Sequence, residues 1–419
     1  MSDEVGGSKS DESLASTQPC GKRKYGGLFL LGCNGSLPNG ERGRKRSKFI
    51  LEERDLPNGV KKANVSVVTN PKSSKAVQDH NSWTISFTIS KDESIIVECA
   101  HDKETDMFQI GRSYNKIIDY VVLDKCTGEG KMHQSTISRF ACRIIASRSD
   151  QSDVKLFAAG FGGDKNIFLG EKAVKWKTSD GTDVDALTTN GVLLCNPNGS
   201  YSGGELEAGL WREVSVFGSI FSIRGFRSSQ EKGRKIEGGT NILRDGSLID
   251  LCGATLLWRS AEGLEKCVTK DYIEKLVEML NEDKDDKLDP LVIPRKSSSS
   301  DVDSDSADQP SVFLNCGHIH GGSAPPKQCP SCHKIGPSQK ICMGMEGAFY
   351  IDDVDDPHPV NLFAFNPCGH IATEKTVKYW STVSVPHGTS AFQAICPFCA
   401  TELQGNPGYV NLKFNQGVK

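Results

Sequence analysis

Cys316-Gly317-His318 followed by Cys329-Pro330-Ser331-Cys332, and Cys368-Gly369-His370 followed by Cys396-Pro397-Phe398-Cys399, are two copies of one pattern near the end of the chain. Each copy offers three thiols and an imidazole, the four N/S donors of a closed, tetrahedral structural zinc site. Cys316, His318, Cys329, Cys332, Cys368, His370, Cys396 and Cys399 therefore predict two Zn2+ ions and a small domain held together by metal. A Cys-x-x-Cys turn presents both thiolates to one ion without help from distant chain. His320, His333, Cys342, His358 and His387 compete as ligands. His320 is the nearest rival to His318, and the recurrence of Cys-Gly-His at Cys368 favours His318. Cys342 sits in the apolar run Ile341-Cys342-Met343 and reads as core, while His358 and His387 lie beside prolines without partner spacing. Spacing leaves the pairing open: sequential use gives two sites of three Cys and one His, and cross-bracing gives one site of two Cys and two His plus one of four Cys.

Outward from this pattern, 419 residues are enough for two or three domains. A net charge of −3 and a pI near 6.3 give no global pull towards nucleic acid or anionic membrane. No run of eighteen apolar residues predicts a membrane span. Residues 1–24 lack an apolar stretch and read as a disordered tail rather than a signal peptide. Of the 15 cysteines, those outside the zinc pattern are scattered and mostly flanked by apolar residues. They read as buried free thiols in a reducing, cytoplasmic setting.

Residues 25–260 are β in character, with short Val/Ile/Phe/Thr-rich runs at Leu28–Gly32, Val65–Thr69, Trp83–Ser90, Ser94–Cys99, Phe108–Gly111, Tyr120–Leu123, Ala141–Ser147, Val154–Ala159, Trp211–Val216, Ile220–Arg224 and Thr255–Trp258. Turns such as Pro38-Asn39-Gly40 and Pro57-Asn58-Gly59 punctuate them. Many short strands without helices between them predict a β-sandwich, and the span leaves room for long insertions. Residues 261–311 hold one amphipathic helix, with Ile273, Leu276, Val277 and Leu280 on one face, followed by a Ser/Asp-rich stretch that reads as a flexible linker. The helix is expected to pack on the adjacent domain. Residues 312–419 form the zinc region. The linker predicts two units able to fold independently.

Three motifs fall at loop positions between strands: Gly111-Arg112, Ser138-Arg139 and Thr189-Asn190-Gly191. In that order they resemble the forkhead-associated (FHA) phosphopeptide-binding domain. Arg112 and Arg139 supply guanidinium forks, Ser138 a hydroxyl and Asn190 an amide, a chemistry suited to phosphate. Singly, each motif also occurs as an ordinary strand end or turn. One position departs from the FHA pattern: Ala141 stands where a histidine usually supports the binding loops.

Longer stretches carry a closer resemblance. Gln134-Ser135-Thr136-Ile137-Ser138-Arg139-Phe140-Ala141-Cys142-Arg143, Lys165 to Lys172, Asp250 to Arg259 and Cys396 to Thr401 are similar to the Pellino family of ubiquitin ligases, from about Tyr25 to Phe414. The resemblance implies a mainly β protein: an FHA-type β-sandwich with a β wing, then a RING-like zinc domain. It implies phosphothreonine contacts at Arg112, Ser138, Arg139, Thr189 and Asn190, with phosphorylated interleukin-1-receptor-associated or Pelle-type kinases as partners in Toll and interleukin-1 receptor signalling. It further implies work with ubiquitin and a ubiquitin-conjugating enzyme, for which Pro397 and Phe398 are candidate docking residues, set against a plain turn-shaping role. The wing is expected from Tyr25–Asn64 and one later insertion. The basic run Arg42 to Lys48 would lie in it, as a solvated hairpin face rather than a nucleic-acid contact, since no aromatic residues interleave with it. The RING-like description favours cross-braced zinc sites, although the spacers are unlike those of an ordinary RING. The stretch from His318 to Cys329 is shorter than in vertebrate members, which is expected to alter a surface without disturbing the ligands. With four protein ligands per ion there is no position for a metal-bound water, so the resemblance implies a transferase that positions its conjugating enzyme rather than a hydrolase. Two other readings stand beside it: a non-catalytic phosphopeptide scaffold with a purely structural zinc domain, and a zinc-dependent nucleic-acid binder, which the balanced charge disfavours.

Overall fold

Leu28-Phe29-Leu30-Leu31 and Leu256-Leu257-Trp258 are strand segments without apolar–polar alternation, and the computed structural model shows why. It describes residues 21–33, 47–79, 81–123, 135–177, 183–282, 309–321, 326–352, 361–387 and 391–413. Both segments lie in a seven-stranded sheet ordered Ile220–Ser222, Trp211–Val214, Leu193–Cys195, Leu248–Asp250, Ala254–Ser260, Lys24–Cys33, Lys48–Glu52. Strand Lys24–Cys33 runs antiparallel to Ala254–Ser260, with Leu28 opposite Trp258. A strand buried on both faces has no reason to alternate. Leu28, Leu30, Leu256 and Trp258 point into the sandwich core. Phe29, Leu31, Leu257 and Leu248 point the other way, into a second core shared with the zinc domain.

The opposing layer of the sandwich is the sheet Tyr120–Val121, Thr105–Gly111, Cys142–Ser147, Val154–Ala158. Its Phe108, Ile110, Ile144 and Leu156 close the core against the larger sheet. Each strand run expected from the sequence is present, with bounds shifted by a few residues.

The wing is a separate four-stranded sheet, ordered Asn166–Leu169, Trp83–Thr88, Ser94–Asp102, Gly59–Val68, with its own core of Ile85, Phe87, Val97, Phe161 and Ile167. This corrects the expected wing at Tyr25–Asn64. Strands Lys24–Cys33 and Lys48–Glu52 belong to the main sheet, because their apolar side chains serve the sandwich and the domain junction. Only the start of Gly59–Val68 from that span lies in the wing, and Asn166–Leu169 is the later contribution. Arg143 ties wing to sandwich. Its buried guanidinium donates to the carbonyls of Ala158 (2.8 Å), Ala159 (2.9 Å) and Val216 (2.8 Å). Burial lowers its pKa to about 10, which leaves it charged at neutral pH. Residues 1–20 of the expected tail, most of the basic run (Arg42 to Arg46) and the Ser/Asp stretch lie outside the described residues; residues 21–24 are described and Lys24 opens a strand of the main sheet, which corrects the tail's expected end.

Helix Lys270–Glu282 forms as the spacing predicts and buries Ile273 and Leu276 in the shared core. The expectation of independent domains is corrected here. Phe29 meets Phe349 edge-on (6.5 Å), Tyr201 meets Tyr379 (5.8 Å), and Trp211 Nε1 donates to Ser384 O (2.7 Å). Arg259, fully buried, donates to Asp245 (2.9 Å), Ser202 (2.9 Å), Gly263 O (2.8 Å) and, across the junction, Ala348 O (3.0 Å). A linker of any flexibility can join units that nonetheless share a core.

Candidate functional site

The three sequence motifs meet at one end of the sandwich. Gly111 ends strand Thr105–Gly111, and a Cβ there would lie 2.1 Å from Arg139 O. Its lack of a side chain therefore lets two loops close on each other. Arg112 N donates to Ser138 O (3.1 Å) and Ser113 N to Arg139 O (3.2 Å). Arg112 Nε donates to Ile137 O (2.7 Å), which fixes the guanidinium by one edge. Asn190 bridges from the third loop, its Nδ2 donating to Thr136 O (2.6 Å) and lying 3.3 Å from Ser138 Oγ. Arg112, Ser138, Thr189 and Asn190 are half-buried and Arg139 is exposed. The side chains of Arg112, Ser138 and Asn190 are thus tied together where three loops meet, with Arg139 and Thr189 as their chain neighbours. Arg227, which the sequence reading did not single out, also reaches this cluster, with Nη1 3.3 Å from Asn190 O.

The zinc-type ligands form two clusters, Cys316–His318–Cys329–Cys332 and Cys368–His370–Cys396–Cys399, with the donor atoms of each within 4.8 Å of one another. The ligands are used sequentially, so the expected cross-braced pairing is corrected to two sites of three Cys and one His. The physical reason is local. Each Cys-Gly-His turn carries a glycine at positive φ (Gly317 +79°, Gly369 +74°), which folds the Cys and His of one turn onto the same side. Each Cys-x-x-Cys turn then closes on the Cys-Gly-His turn that precedes it. His320 belongs to neither cluster.

The donor chemistry fits a divalent cation in both places. Burial, then the charges of Lys413 and Lys334, hold His318 below its ordinary value and so in the neutral, metal-binding form. Burial raises the Cys316 thiol to about 11, and neighbouring thiols add to the rise. In the second cluster burial works against the His370 imidazolium, but the thiols of Cys342, Cys368 and Cys399 outweigh it and raise the group to about 11. His370 Nδ1 is buried without a hydrogen-bond partner. Thiols crowded this closely compete for protons, and a cation relieves that competition. Four protein donors would complete a tetrahedron around an ion held in either cluster, the ligand set of a structural site.

Pro397 and Phe398, the candidate docking residues, are both buried. The Phe398 ring lies 4.9 Å from Tyr350, 5.7 Å from His370, 6.2 Å from Phe349 and 6.3 Å from Phe365. The turn points inward because its side chains complete the core around the second cluster.

The comparison with known proteins agrees with this two-part architecture. Residues 16–276 match the family model described as the Pellino FHA domain, and residues 285–419 match the Pellino RING domain. The chain is 51% identical to a protein named pellino from Drosophila melanogaster, over 94% of each chain. The chain belongs to the Pellino family. It is also 46% identical to human E3 ubiquitin-protein ligase pellino homolog 2, covering 93% of this chain and 95% of that one. With mouse E3 ubiquitin-protein ligase pellino homolog 3 it shares 42% identity over 96% of this chain and 92% of the other. In this Pellino-family chain, no helix among the described residues is long and apolar enough to cross a membrane.

Proposed function

We propose that this Pellino-family protein, a ubiquitin-protein ligase of the RING type, selects its substrates by binding phosphothreonine at the loop cluster of Arg112, Ser138, Arg139, Thr189 and Asn190. The observation that carries this reading is the convergence of three loops, distant in sequence, on one point lined by guanidinium, hydroxyl and amide groups. Hydrogen bonds to a charged group contribute about 1.5–3 kcal/mol each, so a few suffice to separate phosphothreonine from threonine. Two Zn2+ ions, one per Cys3His cluster, hold the RING domain, and the thioester chemistry belongs to the ubiquitin-conjugating enzyme that it positions. Phosphorylated kinases of the interleukin-1-receptor-associated or Pelle type, in Toll and interleukin-1 receptor signalling, are the proposed substrates, on the strength of the family resemblance. Cytoplasmic action is proposed because buried thiols that form no disulfide, such as Cys142 and Cys195, suit a reducing compartment.

Calorimetric titration with one peptide in phosphothreonine and threonine forms, together with metal analysis of the purified chain, tests this reading. It expects measurable binding of the phosphorylated peptide only, and two zinc ions per chain. Equal affinity for both peptides would end the phosphate-reader reading.

A further inference from the structure

The loop Thr189–Gly191 is supported from behind by two buried ion pairs. Arg224 grips Glu213 in bidentate fashion (Nε to Oε2 2.9 Å, Nη2 to Oε1 2.6 Å) and also donates to Thr188 O (2.9 Å) and Ser229 O (2.8 Å). Next to it, Arg227 pairs with Asp250, their side chains 9% and 1% exposed, and donates from Nη1 to Asn190 O (3.3 Å). From Asp250 the bonds run on and return. Asp250 Oδ1 accepts from Cys252 N (2.9 Å), Cys252 O accepts from Thr136 Oγ1, and Thr136 O accepts from Asn190 Nδ2 (2.6 Å). Thr255 Oγ1 donates to the other carboxylate oxygen (3.1 Å). The result is a closed ring, Asn190–Thr136–Cys252–Asp250–Arg227–Asn190, that runs through both the backbone and the side chain of a proposed phosphate ligand.

We propose that Arg227 and Asp250 are positioning residues of the phosphothreonine site, holding the Asn190 amide at the angle at which it meets the ligand. This rests on the phosphate-binding reading above and deepens it. A buried ion pair stabilises a fold no better than apolar residues of the same volume, so its presence behind one loop is better accounted for by position than by stability. Ala141, close to these loops, lies buried in the apolar core. A guanidinium reaches a carboxylate and a carbonyl at once through its fork, which an ammonium cannot do. Arg227 itself is spent on Asp250 and the loop carbonyl, so it acts through Asn190 rather than on the phosphate.

A double-mutant cycle on the full chain tests this, with phosphothreonine and threonine peptides as probes. Arg227→Ala is expected to weaken phosphopeptide binding about tenfold, and the double variant with Asn190→Ala should be no more than about twofold weaker than Asn190→Ala alone. Arg227→Lys, which keeps the charge opposite Asp250, is expected to restore the melting temperature but not the affinity. Losses that multiply fully in the double variant would overturn the proposal, as would recovery of both quantities by lysine. If Arg227→Ala does not fold, Arg227→Lys alone decides, read by affinity and by amide exchange at Asn190 and Gly191. Faster exchange with weaker binding is expected, and unchanged exchange would overturn it. A wild type that cannot tell the two peptides apart overturns the phosphate reading itself. A discriminating wild type matched by Arg227→Ala overturns only this proposal.

Discussion

Breaking the two metal sites should have different consequences for the sandwich, although they look alike in sequence. The first cluster sits in a small core of its own, with Phe313. The second belongs to the large core that also contains Phe29, Leu31, Tyr201, Leu248 and Leu257 from the sandwich. Each structural zinc contributes about 10–16 kcal/mol of folding energy, so removing a ligand pair unfolds its surroundings. With Cys329→Ala and Cys332→Ala, none of those sandwich residues loses its cover. With Cys396→Ala and Cys399→Ala, all of them lose part of it. Full burial of such a side chain is worth about 1.5–3 kcal/mol, and re-exposing about half of it at the residues named removes roughly 5 kcal/mol. Arg259 loses its Ala348 acceptor as well. At about 2–4 °C per kcal/mol for a domain of this size, the sandwich should melt roughly 10–20 °C lower in the second variant and within a few degrees of wild type in the first. Scanning calorimetry resolves the transitions, and titration with phosphopeptide at low temperature reports whether the sandwich remains folded. Ligase activity should be lost in both variants, with phosphopeptide binding intact in the first. Equal sandwich melting temperatures in the two variants would refute the shared core as an energetic link.

Other expectations follow from single side chains. Arg112→Ala should weaken phosphothreonine peptide binding about tenfold or more. It should also lower the sandwich melting temperature by a few degrees, because the Nε bond to Ile137 O is lost with the phosphate contact; titration and a melt measure the two. Asp352 is buried with Oδ2 unpartnered, and burial, only partly opposed by a hydrogen bond from Thr373, raises its pKa from 3.8 to about 6. The folded state thus holds this proton more tightly than the unfolded chain, so the group's contribution is fully present below about pH 4 and is lost as pH rises through 6. Asp352→Asn should therefore stabilise relative to wild type by on the order of 2 kcal/mol above pH 6, with the gain vanishing towards pH 4 in paired melts. Phe398→Ala should cost about 3–5 kcal/mol as a core cavity. Unchanged stability with lost conjugating-enzyme binding would instead return Phe398 to a docking role.

Much of this was legible in the sequence, and the gaps have physical causes. The strand runs, the helix, the eight Cys and His residues of the two clusters and the three loop motifs could be read because each depends on local spacing or turn chemistry. Pairing of the metal sites is set by how the Cys-Gly-His turns fold, which spacing leaves open. The wing was misplaced because Lys24–Cys33 and Gly59–Val68 both contain β-type runs, and only tertiary contacts assign them to different sheets. The shared core did leave a trace: Leu28-Phe29-Leu30-Leu31 and Leu256-Leu257-Trp258 do not alternate, as strands covered on both faces do not. The linker's composition spoke against that trace, and composition carries no information about the surfaces a linker joins. Arg227 had no local motif, because its partners Asp250 and Asn190 are remote in sequence.

The central claim is that phosphate recognition by the sandwich directs ubiquitin transfer by the RING domain. The most direct measurement is a single-turnover transfer assay on the full chain. It uses conjugating enzyme charged with ubiquitin and one substrate offered in phosphothreonine and threonine forms at a concentration below saturation. The phosphorylated form should be modified at least about tenfold faster, in proportion to its tighter binding, and Arg112→Ala should abolish that preference without lowering transfer to the unphosphorylated form. Equal rates for both forms with the wild-type chain would contradict the account.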